Sequence, residues 1–231
     1  MAPPTTLVLL VRHGTTPTTG QVLPGRAPGL HLADAGREQA ASLGSRLAAW
    51  VSPAAGSPDG AGPLPRRRRP PRRSVDAVYA SPLERARETA APIAASLGLR
   101  ARVVRDLTEC DFGEWTGAEL KKLARLPEWA AVQRYPSGFR FPGGESLAGM
   151  QARMLAAVSA LSDRHRGGTI VVVSHADPIK AVVADALGAH LDLFQRIVIS
   201  PCSLSAVAYG PSGPRVLTVN ATGSLGDLVA S

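Results

Sequence analysis

Residues 7–16 read LVLLVRHGTT. The five aliphatic residues from Leu7 to Val11 have the length and content of a strand buried on both faces, the kind found inside a parallel sheet. The run then stops on Arg12, His13 and Gly14. A cation and an imidazole make poor packing groups at the end of a core strand. In parallel α/β folds, however, the carboxyl ends of strands are where ligands bind. The fold class turns on whether the chain supplies more strands of this kind with helices between them.

It does so along most of its length. After the strand at 6–11, residues 34–50 place Ala40, Leu43, Leu47 and Trp50 at helical spacing. Residues 75–80 form a short strand. SPLERARETAAPIAASLG (81–98) reads as a helix with Ser81 as N-cap, Pro82 at the first position and Glu84 closing a capping box. Residues 99–104 suit a strand, and 117–134 suit two short helices broken at Pro127. FPGGES (141–146) is a turn before a helix over about 145–164. The β-branched run 169–174, TIVVVS, is a buried strand. It is followed by a helix with Asp177 as cap, Pro178 at its first position and Gly188 at its end. The tail, 195–220, holds two or three strands. Strands alternating with helices give the α/β class with a largely parallel sheet, and residues 1–231 are expected to form one domain.

Bulk composition narrows the function. The net charge is +8, yet six arginines lie in PRRRRPPRR (65–73), and removing them leaves +2. The basicity therefore belongs to one Pro-, Gly- and Arg-rich segment, 52–73, which buries too little surface to offset its ordering entropy and reads as a flexible insertion. It contains no aromatic residue, so a base-stacking nucleic-acid site is not expected there. Cys110 and Cys202 stand in no CxxC pattern, which argues against a disulfide framework or a zinc knuckle. No apolar run reaches a membrane span and the N-terminus lacks a basic leader, so a soluble cytoplasmic protein is expected. Trp50, Trp115 and Trp129 read as packing residues, and His31, His165 and His190 as solvent-facing ones.

Three strand ends share one design. The first ends in Arg12-His13-Gly14, the strand at 75–80 leads to Arg85, and TIVVVS ends in Ser174-His175. Two guanidiniums, two imidazoles and two helix N-termini at one sheet edge suit a phosphate, because arginine forks match its oxygens and helix N-termini favour anions. A neutral imidazole can act as a nucleophile, and Gly14 would let the backbone pass close to the phosphate. A leaving alkoxide needs a proton, for which Glu109, Asp111 and Glu114 are all candidates.

LVRHG (10–14), SPLERARETA (81–90), LTECDFGEWTG (107–117), FPGGES (141–146) and VVVSHAD (171–177) together resemble the histidine phosphatase superfamily, the phosphoglycerate mutase-like branch, over nearly the whole chain apart from 52–73. The resemblance implies a three-layer αβα fold with a mostly parallel central sheet and no metal or cofactor. It also implies that His13 becomes phosphorylated, that Arg12, Arg85 and His175 form the phosphate pocket, and that Glu109 is the proton donor. Thr15, Thr16 and Thr19 stand where many members carry Glu-Ser and then Asn, and Pro24 beside Gly25 replaces a serine or threonine. Thr16, Thr19 and Gly25 are thus candidate substrate contacts. The basic substrate loop of the glycolytic mutases is missing from 115–145. The expected activity is hydrolysis of a small phosphate ester through a phosphohistidine. A phosphomutase using the same intermediate, and a non-catalytic phospho-ligand or nucleic-acid binding module, remain as alternatives.

Overall fold

The computed structural model describes residues 4–52, 73–223 and 225. Six strands form its sheet: β1 (Thr6–Arg12), β2 (Ala77–Ala80), β3 (Ala101–Val103), β4 (Thr169–Ser174), β5 (Leu204–Gly210) and β6 (Gly213–Ala221), in the spatial order β3-β2-β4-β1-β5-β6. β3, β2, β4 and β1 are parallel neighbours, whereas β5 runs antiparallel to β1 and β6 antiparallel to β5. The tail turns back on itself because only two residues separate β5 from β6, and so short a connection permits only an antiparallel pair.

Alternation along β1 sorts its side chains to two faces. Leu7, Leu9 and Val11 pack with Leu43 and Leu47 of α1 (Asp34–Val51) and with Ala86, Ala90 and Ile93 of α2 (Glu84–Ser96). Val8 and Leu10 face the opposite layer, where α5 (Leu147–Arg164) contributes Met154 and Val158 and α6 (Ala176–Ala186) contributes Ile179 and Val182. The result is the expected mixed sheet between two helical layers. Between them in sequence lie two short helices, α3 (Leu120–Leu123) and α4 (Trp129–Arg134). Beside these helices Trp115, Phe139 and Phe141 stack at ring-centroid separations of 5.0–5.6 Å, and Phe112 adds its ring to Phe141.

Several local expectations are corrected. Ser81 does not cap α2. That helix starts at Glu84 after Leu83, and no side chain caps it; the Ser81 hydroxyl accepts the Leu83 N–H ahead of the helix at 3.3 Å and lies 2.7 Å from His175 Nε2. Asp177 does not cap α6, which begins one residue earlier with His175 as the flanking residue, so Pro178 sits inside the first turn. His165 is half buried and hydrogen-bonds the Tyr79 hydroxyl at 2.8 Å, while His31 and His190 are exposed, each beside an acid. Of the segment 52–73, only its ends fall within the described residues, Ser52 after α1 and Arg73, whose guanidinium lies 5.2 Å from the centre of the Trp50 ring. The expected flexible insertion otherwise lies outside them.

Gly14 is a glycine for a different reason from the one expected. A Cβ there would meet the carbonyl oxygen of Gly36 at 2.6 Å, and one on Gly36 would meet that of Thr15 at 2.1 Å. The two glycines let α1 press against the backbone that leaves β1. Gly36→Ala gains about 1 kcal/mol of helix propensity but incurs an overpacking cost of about 2–3 kcal/mol, the upper part of the usual range because the 2.1 Å contact is with backbone, for a net loss of about 1–2 kcal/mol. Urea unfolding should show a lower midpoint; an unchanged or higher one would contradict this packing.

Candidate active site

Strand register assembles the site. Arg12 is in register with Ser174 across β1 and β4, and Ala80 with Val173 across β2 and β4. The next residues along the three strands, His13, His175 and Ser81, therefore meet at the carboxyl edge of the sheet. The two imidazoles lie 5.1 Å apart, and His175 Nε2 is 2.7 Å from Ser81 Oγ. Arg85, the second residue of α2, reaches the same point fully buried: its Nε donates to His13 Nε2 at 3.3 Å and its Nη2 to the Gly25 carbonyl at 2.8 Å. Arg12 is held by a bond from Nη1 to the Ile199 carbonyl at 2.6 Å.

The hydrogen bonds fix which nitrogen of His13 carries the lone pair. Nδ1 lies 2.8 Å from the Gly14 carbonyl, which can only accept, so the proton sits on Nδ1 and the lone pair on Nε2. Around that lone pair stand donors without acceptors. Arg12 Nε, Arg85 Nη1 and His175 Nδ1 are buried without a partner among the described residues, as is Thr18 Oγ1 on the cleft wall. Each buried unpaired group costs about 1–3 kcal/mol, and a bound oxyanion would satisfy them together. The Gly14 N–H is taken by Thr89 Oγ1 at 3.0 Å.

Of the three candidate acids, only Glu109 lines the cleft with Arg12 and His13. Its Oε1 accepts the Cys110 N–H at 2.9 Å. Asp111 is turned to Arg26 and to the N–H of Gly113, and Glu114 is exposed. Burial, and then the nearby charge of Asp177, hold the Glu109 carboxyl above the usual carboxylate range, against the opposing pull of Arg85. Its backbone is clamped: Arg26 Nε and Arg153 Nη2 both donate to the Glu109 carbonyl, at 2.8 and 3.3 Å. Glu145 in turn binds both guanidiniums at 2.8 and 2.9 Å.

The cleft has a volume of about 350 Å³. Thr16 and Thr19 line it, with Thr19 Oγ1 accepting the Thr16 N–H at 2.9 Å. Gly25 is not on the wall; it sits behind Arg85, with φ at +53° and its carbonyl holding the guanidinium. The sequence reading overlooked Asp177, Lys180 and Gln195, which close the outer side. The first two are three residues apart on one helix, a spacing that signals a shared face, but Asp177 had an ordinary capping role available to it.

The sequence model of the histidine phosphatase superfamily (branch 1) matches residues 8–222. The bifunctional protein Rv2228c of Mycobacterium tuberculosis is 36% identical over 156 residues, which cover 67% of this chain and 43% of that protein. The chain thus spans less than half the length of the first curated relatives it matches. Phosphoserine phosphatase 1 of Hydrogenobacter thermophilus is 30% identical over 166 residues, 68% of this chain and 75% of that one. Among solved structures, a mycobacterial glucosyl-3-phosphoglycerate phosphatase superposes with a TM-score of 0.75 at 22% identity, covering 94% of this chain and 99% of the other, a likeness of fold.

Burial, Arg85 and Arg12 depress His13 to about 3, and burial with Arg85 and His13 takes His175 well below its ordinary value of 6.5. Above that ordinary value both rings are neutral whether the chain is folded or not, and their stabilising effect is complete. As pH falls below it, the unfolded chain takes up protons that the folded one refuses, and stability drops by about 1.4 kcal/mol per pH unit for each ring. Glu109 has the opposite sign there: its raised folded value favours the folded state as pH falls. In buffer free of phosphate, His13→Gln should flatten the fall of unfolding free energy by about 1.4 kcal/mol per pH unit between roughly pH 6 and 4. Parallel curves for variant and wild type would contradict the buried neutral ring.

Proposed function

The chain belongs to branch 1 of the histidine phosphatase superfamily, and from that premise we propose that it hydrolyses small phosphate monoesters through a phosphohistidine on His13. The observation that carries the reading is the fixed lone pair of His13 Nε2 amid buried donors without acceptors. The phosphoryl group would sit with its oxygens on Arg12 Nε, Arg85 Nη1 and His175 Nδ1. Attack by Nε2 forms the N–P bond as the ester P–O bond breaks, and the charge spread over the equatorial oxygens meets donors already in place. Glu109 gives its proton to the departing alkoxide. Its carboxylate then takes a proton from water, which attacks phosphorus, releases inorganic phosphate and restores His13. The two guanidiniums supply the positive charge, so turnover is expected to persist in EDTA.

Relatives named as phosphatases support hydrolysis over transfer to a second hydroxyl. A mutase would release an isomer, and this enzyme should release inorganic phosphate. Brief reaction with a ³²P-labelled ester should leave an acid-labile, alkali-stable label that maps to His13, and His13→Ala should lose both label and turnover. A label elsewhere, or turnover retained by His13→Ala, would overturn the mechanism. Glu109→Gln should slow alkyl esters by about 10²–10⁴-fold, the usual contribution of general acid catalysis, and p-nitrophenyl phosphate far less, since its leaving group departs without a proton. Equal losses on both would remove Glu109 from the role.

A further inference from the structure

We propose that the cleft selects phosphate esters whose alcohol carries a cationic hydrogen-bond donor, an amino-alcohol phosphate, and disfavours those whose alcohol carries a carboxylate, with Asp177 as the deciding residue. The inference rests on the phosphatase reading and adds the class of alcohol to it.

The cleft is bipolar. Arg12 and His13 line it together with Asp177 and Lys180 of α6 and with Gln195, which accepts from Lys180. Its volume, about 350 Å³, suits a small molecule. A substrate carboxylate would need a cation, and apart from Arg12 the only Lys or Arg lining the cleft among the described residues is Lys180. That ammonium has three protons to give. One goes to Asp177 Oδ1 at 3.2 Å and another to Gln195 Oε1 at 2.9 Å, while the nitrogen lies 5.7 Å from the centre of the Phe194 ring. Two of its three donors are committed within the protein.

Asp177 is in the converse position. Lys180 occupies Oδ1, whereas Oδ2 makes no hydrogen bond among the described residues, although the side chain is only 19% exposed. Helix stabilisation alone does not account for this, because a first-turn carboxylate serves the helix dipole equally well when turned to solvent. Here it is tied down on the cleft wall, and Lys180 is itself tied to Gln195. Such a fixed acceptor is preorganised for a donor on the ligand. Beside Asp177 the cleft wall offers one ammonium, two of whose three donors are already taken. An ammonium on the alcohol would meet Asp177, whereas a carboxylate there would be desolvated opposite like charge.

The full chain should be assayed for kcat/KM on O-phosphoethanolamine, sn-glycerol 3-phosphate and 3-phosphoglycerate, with p-nitrophenyl phosphate as the ester that needs only the phosphate cup. The expected order is phosphoethanolamine, then glycerol phosphate, then phosphoglycerate. Asp177→Asn should reduce the ratio of the first to the last by about tenfold or more, the worth of a hydrogen bond to a charged group. Effects routed through Glu109 act on all three alkyl esters and cancel in that ratio. Melting temperature and circular dichroism verify that the variant folds; should it fail to fold, the wild-type order decides. A wild-type preference for phosphoglycerate, or a ratio unmoved by Asp177→Asn, would overturn this inference and leave the phosphatase reading intact. No turnover of any ester by the wild type would take both down.

Discussion

Arg12 and Arg85 converge on two neutral imidazoles at the edge of the sheet, and donors on three of these four side chains find no acceptor among the described residues. Like charges brought together out of water repel and lose hydration at once. Much of the surrounding structure reads as the means of tolerating this. Both rings stay neutral at ordinary pH because burial and the guanidiniums disfavour their protonation. Carbonyls of Ile199 and Gly25 take one donor from each arginine, and Glu109 supplies the nearest negative charge when ionised. What is left over is a set of aimed N–H groups, the condition under which an oxyanion binds without reorganising the site.

The sheet explains why this arrangement holds its shape. β1 and β4 are interior strands, and their aliphatic side chains are almost wholly buried on both faces. A one-residue slip between them would move every side chain to the opposite layer, so the register that sets His13 beside His175 is fixed by the whole core. The same core that stabilises the fold therefore positions the reacting nitrogen, and the Gly14–Gly36 contact locks the backbone immediately beyond β1 to α1.

Much of this was legible in the sequence because burial on both faces leaves a plain signature. Leu7–Val11 and the run at 169–174 announced interior strands, and the polar residues ending them announced a binding edge. Which strands are neighbours was not legible, since neither run encodes its partner, and the antiparallel turn of the tail followed only from the short connection at 211–212. Ser81 and Asp177 were misread for a shared reason: both residue types favour caps, and only the folded chain shows that α2 starts three residues after Ser81 and α6 one residue before Asp177. Among Glu109, Asp111 and Glu114 only the family resemblance offered a choice, because neighbours in an irregular segment point in directions that no periodicity dictates. Arg26, Arg153 and Glu145 were missed because their partnerships span tens of residues.

That last group bears on how a carboxyl group can be placed accurately on a segment that belongs to neither sheet nor helix. Residues 104–112 carry one short 3₁₀ turn, Arg105–Leu107, and little backbone pairing of their own. Their carbonyls are instead taken by Arg153 from α5, which bonds those of Asp106, Thr108 and Glu109 at 2.6, 3.1 and 3.3 Å. Arg26 adds a second bond to Glu109 from the other side of the segment. Two long side chains would be too mobile to serve alone, but Glu145 accepts from both guanidiniums and from the Asp111 N–H. Charge-assisted bonds in a connected network are stronger and stiffer than isolated surface pairs. The carboxyl facing His13 thus inherits its position from α5, from the segment carrying Arg26, and from the turn at 141–146, so changes well outside the cleft can reach its geometry through this single carboxylate.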